Sequence, residues 1–435
     1  MKNLLKLSLF ATALTPVVFW KSILIPYTTP KVFFFRTLVF LALFLFTVLI
    51  SLDLKFRKKI IEKIQIFKNN KVVWCVLFSY VILVLSTIFA YSPSVAFTGT
   101  MERGEGLVGL SFLYIIFFLF ILIFEKKDWY DFFQISIFSG FILFIVEMVE
   151  KFNGTLRPGS LVDNPIFLAV YLLFILFFSL LFWSRGVKEN NNWFKFIGIF
   201  AGLFSVLGIL ITESRGVMLG IFLGVILALF YLVFKGKNIY FLNKYSLQKI
   251  SVGILVLIVS FSALFFMTRH FMFWQKIPGF SRLADFDTSD GNTQARLLLA
   301  KTTVQSLSPK LNSFKNNLLG WGWDNYSFLW QKIYPAELFS FDRGIFDRTH
   351  NKLLDIWSMN GLLGLFAYLS LWFFLFKELF KIKNLSRIEI SFVLFLLSAF
   401  FVQGLFAMDT ITSYLFFYVI IGFIIFNVQE FYEKK

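Results

Sequence analysis

One of the two histidines in this chain, His350, stands in the segment Arg348-Thr349-His350-Asn351-Lys352-Leu353-Leu354-Asp355, directly before an apolar stretch that runs from Gly361 to Leu369. Histidine is the side chain best able to exchange a proton near neutral pH. Flanked by arginine and asparagine where polar chain meets an apolar run, it suits removal of a proton from a hydroxyl. A polar residue at a helix start is the plain alternative, and the segment alone leaves both open.

A second group of residues suits the binding of an anion. Thr212-Glu213-Ser214-Arg215-Gly216 is the whole connection between two long apolar runs, so Arg215 is held at a boundary by a turn too short to swing away. A charge this close to hydrocarbon is costly unless it faces a cavity or a partner, although an arginine snorkelling to headgroups meets the same constraint. Gly216 and Gly220 beside it permit close helix approach. Met101-Glu102-Arg103-Gly104-Glu105-Gly106-Leu107 and Arg157-Pro158-Gly159-Ser160-Leu161-Val162-Asp163-Asn164-Pro165 each place an arginine beside glycine at a helix start. Free N–H groups and the helix dipole favour anions there, and the same residues also make ordinary turns. With Arg296 and Arg348, these arginines predict a cationic surface on one side of a membrane. Guanidinium forks match phosphate oxygens, and the anion expected at that depth is a lipid pyrophosphate. Gly320-Trp321-Gly322-Trp323-Asp324-Asn325-Tyr326 reads either as a sugar-stacking platform or as a tight turn with interfacial tryptophans. Asp285-Phe286-Asp287 imitates a metal-binding acidic pair, a pattern common by chance in polar loops. With no His/Cys cluster for zinc and no Walker loop, no metal or cofactor is expected, nor nucleotide hydrolysis.

The elements that must position these groups are membrane helices. The chain is 58% hydrophobic and 15% charged, with mean hydropathy +0.77, and soluble domains carry about a quarter charged residues. Apolar runs of about 20 residues recur and are continuous, not alternating, which excludes a strand-built barrel. The reading is an all-α polytopic protein of about twelve spans, near 4–25, 32–52, 72–91, 106–125, 130–149, 163–183, 193–212, 216–235, 250–269, 355–376, 388–408 and 411–428. One membrane domain, 1–435, carries a large loop, 270–350, between spans nine and ten. Within that loop, residues 294–307 have apolar positions at helical spacing. Basic connections such as Lys55-Phe56-Arg57-Lys58-Lys59, Lys235-Gly236-Lys237 and Lys377 to Arg387 predict a cytoplasmic side that also holds both termini, with the large loop extracytoplasmic. The net charge of +17 lies mostly in these clusters, which set topology instead of indicating a nucleic-acid partner. Met1 to Trp20 resembles a signal peptide, with Ala11-Thr12-Ala13 imitating a cleavage site. Retention is expected, because the apolar run continues past it and the charge alternation needs the span. The single cysteine, Cys75, rules out an intrachain disulfide, and the 64 phenylalanines are expected to face lipid or other helices.

Taken in order, Glu102 to Leu107, Asn164-Pro165-Ile166-Phe167-Leu168-Ala169, Thr212 to Gly216, Gln294-Ala295-Arg296, Gly320 to Tyr326, and His350-Asn351 with Leu354, Gly361, Gly364 and Tyr368 resemble the O-antigen ligase-like superfamily of bacterial membrane glycosyltransferases. The superfamily includes O-antigen ligases, polysaccharide polymerases and protein O-oligosaccharyltransferases, and its core would span about 200–370 of this chain. The resemblance implies a GT-C-like fold in the inner membrane. It also implies metal-free, inverting transfer of a glycan from a polyprenyl pyrophosphate to an acceptor hydroxyl on a glycan, lipid or protein, at the extracytoplasmic face. By motif, His350 would be the base and Arg215 its catalytic companion. Arg215 and Arg296 would hold the leaving pyrophosphate with help from Arg157, and Arg103, Arg348 and Asn351 would line the site. An imidazole beside several arginines should have its pKa pushed down. Many ligases carry proline before the His-Asn pair, where this chain has Thr349. A ligase or polymerase is favoured over a protein glycosyltransferase. The competing class, a flippase of lipid-linked sugars, calls for ionisable groups near the bilayer midplane, and such groups are nearly absent here, Glu147 and Glu150 lying close to a span end.

Overall fold

In a computed structural model, residues 1–237, 239–241, 245–284, 291–308, 311–341, 344 and 346–432 are described. Asp285, Phe286, Asp287 and Asp290, the acidic group of the large loop, lie outside them.

The protein is an all-α polytopic membrane protein. Among the described residues, ten helices are long and apolar enough to cross a membrane, from Thr29–Leu52 to Ile411–Val428. The expected spans 4–25 and 106–125 account for the difference from twelve. The first becomes a short helix, Lys2–Ala11, followed by a 3-10 turn, Thr12–Val17. Pro16 lies inside that turn and has no N–H to continue a ladder. The hydroxyls of Ser8, Thr12 and Thr15 bond back to carbonyls three residues earlier, which competes with regular helix. The second is a complete apolar helix, Leu107–Ile123, of 17 residues, about 25 Å long at the helical rise.

The chain forms two compact units: Met1–Phe132 with Thr288–Glu378 and Gly404–Lys435, and Phe133–Asp287 with Leu379–Gln403. In the first, Trp129, Phe120, Phe124 and Phe132 pack as a buried aromatic cluster. In the second, Pro165–Lys188 and Asn192–Thr212 form a tight antiparallel pair, and Phe133 stacks on Phe178 with ring centroids 4.2 Å apart. Gly220 rests against the backbone of Ala399, where a methyl group would lie 2.5 Å from the carbonyl oxygen.

The Lys352–Leu379 helix is broken at Gly361, whose φ of +67° and ψ of −169° are not helical. The break has a visible cause. The Gly320–Trp323 segment docks there, with Trp321 N–H donating to Ser358 O and Gly322 N–H to Met359 O, both 2.9 Å. Gly320, at φ +78°, and Gly361 pass so close to this junction that a Cβ on either would meet backbone at 2.3 Å or less. Only glycine adopts such backbone without strain. The helix expected over 294–307 is present as Gly291–Ser306.

Candidate functional site

The large loop returns to the membrane through Asp347-Arg348-Thr349-His350-Asn351, and this segment is fixed from both sides within the first unit. Thr349 donates its N–H and its hydroxyl to Asp355 Oδ1, at 2.7 and 2.8 Å. Asn351 caps the helix: its Oδ1 accepts from Leu353 and Leu354 N–H at 3.0 and 3.2 Å, and its Nδ2 donates to Leu405 O at 3.0 Å. Between these two anchors His350 is forced to φ +55°. That left-handed conformation costs a non-glycine residue roughly 1–2 kcal/mol, offset here by the bonds on either side. Its imidazole is half-buried, edge to face with Phe346 at 5.6 Å.

Arg348 does not face a ligand. It is 2% exposed, donates to Glu105 Oε2 at 2.9 Å and to Asp324 Oδ1, and lies 5.6 Å over the Trp323 ring. Asp324 in turn accepts from Thr100 N–H at 2.8 Å and from the Thr100 hydroxyl at 3.2 Å. Three elements far apart in sequence are thereby joined beneath the His350 turn. Arg348, expected at the pyrophosphate site, thus has its guanidinium committed to two buried carboxylates. Asn351, also expected to line the site, uses both ends of its amide to cap and anchor the helix. Arg103 makes a two-point pair with Asp347, its Nη2 reaching Oδ1 at 3.1 Å, and its side chain is 14% exposed. Arg296 is tied by Nη1 to Phe406 O at 3.2 Å.

Electrostatics tune this cluster. Burial holds the His350 imidazole below its ordinary value, reinforced by the positive charges of Arg296 and Arg103 against the opposing pull of Asp355 and Asp347. The arginines act in the expected direction, with burial the larger cause. Burial outweighs the attraction of Arg348 and Arg103 and raises the Glu105 carboxyl, whereas Arg103 holds the Asp347 carboxyl down despite its burial.

Next to His350 the helix begins with a buried pair. Lys352 Nζ lies 2.7 Å from both Asp409 Oδ2 and the Tyr414 hydroxyl. The aromatic motif Trp321-Gly322-Trp323 is packing, not an open platform: Trp321 and Trp323 are 6% and 5% exposed. Lys352 Nζ lies 5.5 Å over the Trp323 ring, and the tight-turn reading fits.

The second unit holds Arg157 and Arg215. The Asn192–Thr212 helix ends on Glu213 at φ +51°, Ser214 is extended, and the next helix begins at Arg215. Arg157 Nε donates to Thr212 O at 3.0 Å, Arg282 Nη1 to Glu213 O at 3.3 Å, and the Ser214 hydroxyl to Pro165 O at 3.2 Å. Arg157 is therefore a brace on the turn that presents Arg215, and the short connection is as rigid as its length predicts.

Sequence reasoning missed the acids Glu105, Asp324, Asp347, Asp355 and Asp409, and it missed Lys352 and Arg282. Glu105 and Asp324 stood inside quoted motifs, yet nothing local pairs them with an arginine 243 and 24 residues away.

No curated protein matches this chain. Residues 200–369, which carry Arg215, Arg296, the Gly320–Tyr326 turn and His350, match the family described as O-antigen ligase. That match spans less than half of the chain. Within this multi-pass membrane protein, residues 200–369 are thus similar to the O-antigen ligase family.

Proposed function

We propose that the protein is a metal-independent, inverting glycosyltransferase of the O-antigen ligase or polymerase type. It takes a glycan from a polyprenyl pyrophosphate on the outer face of the cytoplasmic membrane and gives it to an acceptor hydroxyl, with both termini of the chain in the cytoplasm. The family match over residues 200–369 supports a ligase- or polymerase-type enzyme. The observation that carries the finer reading is His350: a half-buried imidazole held in a fixed turn, kept basic-form by burial and by Arg296 and Arg103.

In this mechanism neutral His350 accepts the proton of the acceptor hydroxyl as its oxygen attacks the anomeric carbon. The bond from that carbon to the pyrophosphate oxygen breaks, and the electron pair leaves with the polyprenyl pyrophosphate. A single displacement inverts the centre. Pyrophosphate is already a good leaving group, so fixed cations suffice to stabilise it. Arg296 and Arg215 take that role, as their motifs imply; Arg157 supports Arg215 through the Thr212 carbonyl.

The test is transfer by purified, reconstituted protein from a polyprenyl-pyrophosphate oligosaccharide, with and without EDTA. Lipid-A core, the donor itself and a peptide serve as acceptors. Transfer that resists EDTA and is lost in both His350→Ala and Arg215→Ala, at unchanged protein level, is the expected result, and the acceptor used names the subtype. Transfer persisting in both variants overturns the assignment.

A further inference from the structure

Lys235 and Arg387 belong to two basic connections, and the transfer mechanism uses neither. In the second unit they line one groove of about 530 Å³, with Tyr231, Phe234 and Phe380 completing its wall. Lys235 is the last residue of the Arg215–Lys235 span and Arg387 the first of Arg387–Gly404, so the groove lies at a membrane boundary. It sits at the opposite end of its helix from Arg215, about 30 Å away at the helical rise.

These cations are held more firmly than a snorkelling side chain, whose head simply follows the water. Arg387 Nη1 donates to the Tyr231 hydroxyl at 3.3 Å, and the Tyr231 ring stacks on Phe380 with centroids 5.8 Å apart. Lys235 follows Tyr231 by one helical turn and shares its face. Among the described residues neither cation has an acidic partner. Glu389, the acid closest to Arg387 in sequence, is taken by Lys188 and by the N–H and hydroxyl of Ser386, the last two at 2.7 and 2.8 Å. Two positive charges without a counter-charge therefore line one space.

Charge and hydrocarbon together identify the occupant. Tyr231 uses one of the N–H donors of Arg387, which leaves a fork suited to phosphate oxygens, and Lys235 adds a second point charge. Phe234 and Phe380 are 76% and 52% exposed beside them. At the ends of two spans such rings meet acyl chains, which a soluble phosphate does not carry. A zwitterionic head would bring a third positive charge into the groove, whereas an anionic one neutralises the two already there.

We propose that this groove binds an anionic diacyl phospholipid of the adjacent leaflet, its phosphate between Arg387 and Lys235 and its chains along Phe234 and Phe380. The site is separate from the transfer reaction and does not depend on that assignment.

The test is native mass spectrometry of the full-length protein in detergent, titrated with dioleoyl phosphatidylglycerol or with dioleoyl phosphatidylcholine, which has the same chains. The first phosphatidylglycerol should bind about fivefold more tightly than phosphatidylcholine, the worth of one cation beside an anionic head. Lys235→Gln with Arg387→Gln should bring the two lipids to parity. Lys126→Gln with Lys127→Gln removes the same charge from exposed lysines of another connection and should leave the preference unchanged. Inorganic phosphate should not displace the lipid. Should the double variant fail to fold, the exposed Lys235→Gln alone decides, with a loss of preference larger than in the control pair. A preference absent in the unmodified protein, kept in the double variant, or lost equally in the control pair overturns the proposal, as does displacement by inorganic phosphate.

Discussion

Arg348→Met removes a charge while keeping most of the side chain's length, and its consequences follow from the geometry. Arg348 is 2% exposed and its two acids are 4% and 3% exposed, so none of the three charges is eased by solvent. Breaking a buried ion pair from one side costs about 3–5 kcal/mol, because a charge remains behind uncompensated. The two acids share this unequally. Asp324 keeps both bonds from Thr100, whereas Glu105 loses the guanidinium that holds its carboxylate. The Glu105 carboxyl already stands above its ordinary 4.5, and loss of Arg348 raises it further. A carboxyl whose folded value is raised binds its proton more tightly folded than unfolded, so its contribution to stability falls as pH climbs from the unfolded to the folded value. The variant extends that window upward, and its deficit against wild type should be larger at pH 8 than at pH 5. Scanning fluorimetry of the detergent-solubilised protein at both pH values reads the effect as a difference in Tm. Adding Glu105→Leu to Arg348→Met should recover part of the loss. A Tm equal to wild type, or a deficit of the same size at both pH values, refutes the reasoning.

Other expectations follow from the same cluster. The acid limb of kcat/KM should lie below the ordinary imidazole value of 6.5 and move up in Arg296→Gln, since that charge favours the neutral ring; a limb that stays put or moves down removes Arg296 from the surroundings of His350. Thr349→Val deletes one of two bonds to Asp355, worth about 0.5–1.5 kcal/mol, and should lower kcat several-fold with KM little changed, as a positioning role requires; an equal loss in both argues for misfolding instead. Gly361→Ala and Gly320→Ala each place a methyl 2.3 Å or less from backbone at positive φ, and both should sharply reduce the yield of monodisperse protein; normal yield would show that the junction yields. Lys352→Met leaves Asp409 buried beside Tyr414 and should lower Tm by an amount comparable to Arg348→Met.

How far the site was legible depended on the range of the interaction concerned. The turn at Thr212 to Gly216 could be read because so short a connection leaves little freedom. The helix at 291–306 could be read because its periodicity is local. His350 stood out through its rarity and its place at a boundary. The surroundings of Arg348 and Asn351 could not be read for the opposite reason. A buried arginine bound to two acids and a solvent-facing arginine awaiting a phosphate have the same local sequence, and only the distant Glu105 and Asp324 separate them. Asparagine at a helix start serves a cap or a ligand equally well, and Leu405 O, which takes its amide, lies 54 residues on. The first expected span, 4–25, differs from one regular helix because Pro16 and the hydroxyls of Thr12 and Thr15 break its ladder into a short helix and a 3-10 turn, a change that hydropathy does not register. The break at Gly361 lies inside a hydrophobic run and follows from a neighbour, the Gly320 turn, that hydropathy does not see.

That break also changes how the helix responds to its surroundings. Lys352–Leu379 is long for a bilayer, and a span in excess of the hydrocarbon thickness adjusts by tilting. In a continuous rod, such a tilt would carry the histidine turn with it. Here the nine residues from Lys352 to Asn360 are fastened at 2.9 Å to the Gly320–Trp323 turn, and the remainder begins anew at a corner. Bilayers of different thickness can therefore reorient the lower segment while the upper turns stay in register with the loop that holds His350. The corner works as a mechanical decoupler between the turn that carries His350 and the rest of the span.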